Sequence, residues 1–128
     1  MFFNTLLRDS QIEAEKARVR IELEDRNARF REGRPFPDLA GKKVILVDDG
    51  LASGFTMLAA VHMVKKAGAR ETVVAVPTAP LRTIEHISAE VDKIFCPNIR
   101  TAYSFAVAEA YRHWYDLDEK EVRKLLKN

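Results

Sequence analysis

The segment Val44–Thr56, VILVDDGLASGFT, decides the fold that we predict for this chain. Its first four residues are apolar and mostly β-branched, and such a short continuous run is typical of a strand buried on both faces of a parallel sheet. Asp48 and Asp49 follow at the carboxyl end of this strand, where ligands of open α/β sheets bind. The segment therefore predicts a binding site at the end of a central strand.

The loop after the acidic pair carries the features of a phosphate site. Small residues in Gly50–Gly54 let the backbone come close to a ligand. We expect Thr56 to cap a helix, whose first N–H groups attract an anion. The carboxylates and the loop together would suit a sugar phosphate. The chain has no Gly-x-Gly-x-x-Gly pattern and no Lys after Gly54, so the sequence does not match dinucleotide-binding or P-loop motifs.

Size and composition restrict the class of protein. The 128 residues are enough for one domain with a hydrophobic core. The formal net charge of +2 gives no excess that would draw the chain to nucleic acid or a membrane, so we expect a small-molecule ligand. A single cysteine, Cys96, excludes an internal disulfide, and no apolar stretch is long enough for a membrane span or signal peptide core. These features favour a cytoplasmic protein.

The chain begins with a helical segment that precedes the core. Apolar residues at helical spacing predict one long amphipathic helix over the charged stretch Asp9–Glu32. Two prolines and a glycine in Gly33–Asp38 stop this helix and impose an extended path. We therefore divide the single domain, residues 1–128, into an N-terminal helical segment, residues 1–32, and an α/β core with C-terminal helices, residues 39–128.

Apolar runs alternate with amphipathic stretches beyond the linker, which predicts a βαβαβ unit with a parallel sheet. The fold class is therefore α/β. Asp118 and Glu121 predict a capping box at the start of a final helix. The predicted strands are 43–48, 72–76 and 93–96; the predicted helices are 56–67, 80–91 and an aromatic-rich segment, 103–115.

At Val44–Thr56 the sequence resembles the type I phosphoribosyltransferases, whose signature is a hydrophobic strand, two acidic residues and a small-residue loop ending in Thr. The similarity also covers GRPFPDLAGKK, VVAVPTAP and the tail ending in DLDEKEV, and so nearly the whole chain. Ser53 stands where the family usually has Thr, and Phe55 where it usually has a small residue. Neither departure removes a backbone N–H, so the resemblance implies a phosphoribosyltransferase core that retains phosphate binding.

The resemblance implies roles for the acidic pair and the loop. Asp48 and Asp49 would bond the ribose 2′ and 3′ hydroxyls of phosphoribosyl pyrophosphate and favour positive charge on the ring. The loop would wrap the 5′-phosphate through Gly50, Ala52, Ser53, Gly54, Phe55 and Thr56. The implied reaction displaces pyrophosphate from the ribose by a base nitrogen. Mg²⁺ is the implied cofactor and would enter with the substrate, since no direct metal ligand is predicted in the chain.

The resemblance also implies that the chain is the carboxyl half of a longer transferase. The family has an earlier pyrophosphate loop and a flexible closing loop, both upstream of this region. We therefore expect a split subunit, a truncated product or a protein that has kept binding and lost turnover. The alternative function is a non-catalytic module that binds phosphoribosyl pyrophosphate or a nucleotide such as a nucleoside monophosphate. The expected partner is a second copy or a separate upstream half. The accepting base stays open.

Other polar residues are weaker candidates. Thr78 and Ala79 follow the second predicted strand, where they would either line the ribose or base pocket or form a strand exit shaped by neighbouring prolines. Cys96 is expected to be a small buried residue rather than a nucleophile, because no basic neighbour would lower its pKa. The three histidines lack the spacing of metal ligands. The aromatic residues between 103 and 115 would form core, stack on a nucleobase or pack against a partner subunit.

Overall fold

The computed structural model describes residues 8–102 and 105–127, in two compact units. One unit comprises Met1–Phe36 and Asp116–Asn128, and the other comprises Pro37–Tyr115. The first contains helices α1 (Asp9–Arg31) and α4 (Glu119–Leu126). The second contains β1 (Lys43–Val47), α2 (Phe55–Lys66), β2 (Glu71–Ala75), β3 (Thr78–Pro80), α3 (Leu81–Ser88), β4 (Lys93–Phe95) and β5 (Asn98–Arg100). No helix in the described part of the chain is long and apolar enough to cross a membrane.

Helices α1 and α4 form where the sequence predicts them. Helix α1 ends at Arg31, and Glu32 terminates it in a left-handed conformation, φ 50°. None of the side chains of α1 is buried. At the start of α4 the capping box is confirmed: the Glu121 N–H donates to Asp118 Oδ1 at 2.9 Å, and the Asp118 N–H donates to Glu121 Oε2 at 3.0 Å. Arg29 and Glu119 link the two helices by an ion pair of 3.4 Å.

The second unit confirms the predicted parallel sheet. Its strand order is β1-β2-β4, and both neighbouring pairs are parallel, with Ile45 beside Val73 and Val74 beside Ile94. A second parallel pair joins β3 to β5, with Thr78 beside Asn98. The sequence predicts neither of these short strands, because three residues that include Pro80 or Asn98 carry no strand pattern. They pair because β2 and β4, already adjacent, lead directly into them.

Helices α2 and α3 contribute to one hydrophobic core. Val61 of α2, Val74 of β2 and Ile87 of α3 are fully buried. Each such side chain contributes about 1.5–3 kcal/mol relative to an exposed one. Leu51, from the loop after β1, belongs to the same cluster and is 3% exposed. The loop that carries the candidate site is therefore anchored in the core.

The expectation that the strand at 44–47 is buried on both faces is wrong for this chain. Leu46 packs against the core, but Ile45 is 56% exposed and Val47 is 72% exposed. Ala75 of β2 is aligned with Val47 on one side and with Phe95 of β4 on the other. Phe95 is 59% exposed. The helices of this unit pack on the face that carries Leu46 and Val74. We call Ile45, Val47 and Phe95 the open sheet face.

The prediction of a helix at 103–115 is also wrong for the part of this segment that the structure describes. Tyr103 and Ser104 lie outside the described residues. Only a 3₁₀ turn forms, Val107–Ala110. Tyr111 follows in an extended conformation, and its ring packs edge-on against Trp114 with centroids 5.2 Å apart. The aromatic residues occur at helical spacing, but tertiary contacts of their side chains determine the path of the backbone.

Candidate functional site

The acidic pair forms a fixed turn directly after β1. The Asp49 N–H donates to Asp48 Oδ1 at 2.9 Å. The Tyr111 hydroxyl donates to the Asp49 carbonyl oxygen at 2.6 Å, from 62 residues further along the chain. Both aspartates are exposed at the surface. The turn therefore has a supported backbone and presents its two acidic residues to solvent at the carboxyl end of the strand.

Gly50 lets the turn pack closely against its surroundings. A Cβ atom at this position would lie 2.6 Å from Val107 Cγ1 and 2.9 Å from Thr78 Cγ2, closer than real side chains allow. The next residue is held too, because the Leu51 N–H donates to the Thr78 carbonyl oxygen at 3.0 Å. The turn thus rests on β3 and on the 3₁₀ turn.

Thr78 and Ala79, the two candidate pocket residues, are 1% and 0% exposed. Ala79 belongs to the hydrophobic core, and Thr78 supports the Gly50 turn. Neither lines the cleft described below. The Thr78 hydroxyl is buried without a hydrogen-bond partner among the described residues. Both residues therefore support the site from the protein interior and do not lie on its surface.

Helix α2 begins beside the acidic turn. Gly54 is its N-cap, with φ +81°, and no side chain caps the helix. The expectation that Thr56 is the cap is wrong: the left-handed conformation of Gly54 starts the helix earlier, so Thr56 lies in the first turn. The first helical hydrogen bond runs from the Leu58 N–H to the Gly54 carbonyl at 2.9 Å. The preceding N–H groups, including that of Thr56, thus have no partner within the helix.

Thr83 of α3 holds the loop from the other side. Its hydroxyl donates to the Ala52 carbonyl oxygen at 2.7 Å. Its methyl group is so near Gly54 that a Cβ there would lie 2.7 Å from Thr83 Cγ2. Thr83 is itself 8% exposed. The loop is therefore pre-shaped by a buried contact, which favours binding because little ordering is left to the ligand.

A cleft of about 760 Å³ opens beside this loop. The loop residues Ala52, Ser53 and Phe55 form one wall. Three basic residues that the sequence analysis did not single out as binding residues also line it: Arg82, His86 and Arg100. A signal for two of them is present in the sequence, because Arg82 and Arg100 follow the second and third predicted strands at the sheet edge that carries the acidic pair.

Cys96 is less buried than the sequence predicts. It is partly buried, and its Sγ contacts the Asn98 carbonyl oxygen at 3.5 Å. Burial raises the pKa of the Cys96 thiol, which disfavours the nucleophilic thiolate. Within residues 8–102 and 105–127, no group of three or more His, Cys, Asp or Glu side chains could hold a metal ion.

Comparison with known proteins agrees with this geometry. The profile of the phosphoribosyl transferase domain matches residues 7–114. This chain belongs to the phosphoribosyltransferase family, of type I. Two Mycobacterium tuberculosis proteins, named "Putative phosphoribosyl transferase MT0597" and "Putative phosphoribosyl transferase Rv0571c", are each 34% identical to it over 118 residues, 92% of this chain. The crystal structure of TT1426 from Thermus thermophilus superposes with a TM-score of 0.79 at 33% identity.

The chain is shorter than these relatives. The match spans 26% of each mycobacterial protein. It covers 98% of this chain and 60% of the Thermus chain. This chain therefore shares its α/β architecture, including the helix that precedes the sheet, with part of a larger relative.

Proposed function

We propose that this chain is a phosphoribosyltransferase, or the donor-binding half of one. It transfers the 5-phosphoribosyl group from phosphoribosyl pyrophosphate to a nucleobase-like nitrogen nucleophile, with release of pyrophosphate. The observation that carries the proposal is the junction of β1 and α2, where two exposed acidic residues are followed by an uncapped helix start within one short loop. Family membership supports the same assignment.

In this proposal the two acidic residues bind the ribose ring. The Asp48 and Asp49 carboxylates accept hydrogen bonds from its 2′ and 3′ hydroxyls. Their negative charge stabilises the oxocarbenium-like transition state, which is an electrostatic rather than a covalent role. The turn that carries them is held by Tyr111 and Thr78, so the charges are positioned before the ligand arrives.

The loop binds the 5′-phosphate in the same proposal. The N–H groups of Ser53 to Thr56 face an anion at the helix start, and the Thr56 hydroxyl adds a further bond. This contact lies away from the reacting carbon, so its binding energy serves to place the ring.

We propose that Mg²⁺ enters with the substrate, bound to its phosphates, and we assign no residue of this chain as a direct metal ligand. When bound, Mg²⁺ supplies charge neutralisation for the pyrophosphate leaving group. We also propose a cytoplasmic setting, with a second copy or a separate upstream half as protein partner.

The second candidate function is a non-catalytic module that binds phosphoribosyl pyrophosphate or a nucleotide. The acidic turn and the loop account for binding of ribose and its 5′-phosphate. None of the described residues is assigned to the leaving pyrophosphate. Binding without turnover by this chain would favour the module.

The test combines calorimetric binding of phosphoribosyl pyrophosphate with Mg²⁺-dependent pyrophosphate release over a panel of bases. Asp48→Asn and Asp49→Asn should each weaken binding by about 1.5–3 kcal/mol, the value of a lost charged hydrogen bond. Asp116→Asn, an exposed position outside the loop, is the matched control and should bind like wild type.

The outcomes separate the candidates. Turnover of about 10 per second would establish that the chain is a transferase. Binding that depends on both aspartates without turnover would establish the module. Wild-type affinity in both variants would show that the acidic pair is structural.

A further inference from the structure

The cleft beside the loop has the size of a small-molecule site. Its volume of about 760 Å³ exceeds what a single phosphate needs and lies among the usual volumes of ligand pockets. It shares Ser53 and Phe55 with the loop. A phosphate at the loop would therefore lie beside the cleft.

The ionisable side chains that line the cleft are all basic among the described residues. Arg82, His86 and Arg100 line it, and no acidic side chain is among its described lining residues. Neither arginine has a carboxylate partner within residues 8–102 and 105–127. Two guanidinium groups without internal counterions, on the surface of one cleft, favour an anionic ligand.

Arg100 is positioned in advance. Its guanidinium carbon lies over the Phe105 ring, 5.3 Å from the centroid, in a cation–π contact. Its backbone is in β5, where it pairs with Pro80. A partly buried arginine that is stacked in this way loses little side-chain entropy when it binds an anion.

Arg82 lies in the first turn of α3, next to the residue that holds the loop. Thr83 bonds the Ala52 carbonyl, so the backbone beside Arg82 is fixed relative to the loop. Helix α3, like α2, has no side-chain cap, and its first residues, Leu81 to Thr83, line the same cleft. Two uncapped helix starts add to the positive potential of the arginines.

We propose that Arg82 and Arg100 bind the phosphate of a phosphorylated sugar directly, together with the N–H groups of the loop. The proposal rests on the function proposed above, since it places the ribose at Asp48 and Asp49. The guanidinium forks match phosphate oxygens bidentately, which backbone N–H groups alone do not. The site then selects phosphate monoesters over unphosphorylated sugars.

The experiment measures calorimetric binding of two probes, ribose 5-phosphate and inorganic phosphate. Arg82→Ala and Arg100→Ala should each weaken both by about tenfold to a hundredfold, the loss of one charged hydrogen-bonding partner. Arg82→Lys and Arg100→Lys should restore part of the affinity, because the charge is kept. Arg70→Ala, an exposed position outside the cleft, is the matched control and should have no effect. Thermal unfolding checks the fold of each variant.

Failure of this proposal is distinguishable from failure of the proposed function. If both alanine variants bind ribose 5-phosphate like wild type while Asp48→Asn weakens it, the arginine assignment is overturned and the function stands. If inorganic phosphate binds in an arginine-dependent way but ribose 5-phosphate binds no better, the cleft is supported and the function fails. If the wild-type chain binds neither probe, both are overturned.

Discussion

Two glycines in the loop between β1 and α2 are required for different reasons. Gly50 is needed because Val107 and Thr78 leave no room for a Cβ atom. Gly54 is needed because its φ of +81° disfavours other residues and because Thr83 lies against it. The sequence predicts a small-residue loop whose backbone can come close to a ligand. The structure shows a tightly packed one, in which small residues let buried neighbours fix the backbone.

Gly54→Val should abolish phosphate binding and destabilise the second unit. The left-handed conformation costs about 1–2 kcal/mol for a residue with a side chain. The clash with Thr83 should add about 1–3 kcal/mol of overpacking. Urea unfolding and calorimetry with ribose 5-phosphate measure the two effects.

Gly41→Val is the matched control for Gly54→Val. Gly41 has φ +69°, but nothing in the described residues lies within 4 Å of the position that a Cβ atom would take there. This variant should show the conformational cost alone and keep full affinity. Equal destabilisation in both variants, with ribose 5-phosphate still bound by Gly54→Val, would contradict the role given to Thr83.

At the scale of elements, local signals are reliable where the stabilising partners are close in sequence. The capping box of α4 joins residues three positions apart, and both of its hydrogen bonds form as predicted. The long helix α1 is stabilised by pairs such as Arg26 with Glu22, at 2.9 Å. The segment 105–115 is different, because its contacts reach distant elements such as the acidic turn.

Asp118→Ala should destabilise α4 by about 1 kcal/mol, since the Glu121 N–H loses its acceptor. Hydrogen exchange of the first-turn amides of α4 should accelerate correspondingly. Asp116→Ala, two residues earlier and outside the helix, serves as control and should leave this exchange unchanged. Equal exchange rates in the two variants would show that the capping box contributes nothing measurable.

At the scale of the whole molecule, the open sheet face is the least expected feature. A single apolar side chain as exposed as Val47 is common on protein surfaces. Here, however, Ile45, Val47 and Phe95 lie together on one sheet. The edge of β1 that faces away from β2 also has unpaired backbone groups in the described sheet. Both features favour association.

We expect the chain to associate through the open sheet face, and Val47→Lys to weaken that association by about tenfold or more, since a charge replaces an apolar contact. Sedimentation velocity over a concentration series measures it. Because Val47 is 72% exposed, the substitution should change the free energy of unfolding by no more than about 0.5 kcal/mol. Leu125→Lys, at a position 63% exposed on α4, is the matched control. A wild-type chain that stays monomeric at high concentration would contradict the expectation.

The sequence by itself determined the alternation of strands and helices, the acidic pair at the end of β1, the loop that follows it and the capping box. These features depend on residue type and on spacings of a few positions, which local sterics and hydrogen bonding translate directly into structure. Only the tertiary structure decided which face of β1 is covered, that Tyr111 supports the acidic turn, and that Arg82 and Arg100 line one cleft. Those relations join residues far apart in the chain. The strand pattern places Arg82 and Arg100 near one edge of the sheet, but whether they line one cleft depends on how separate elements pack.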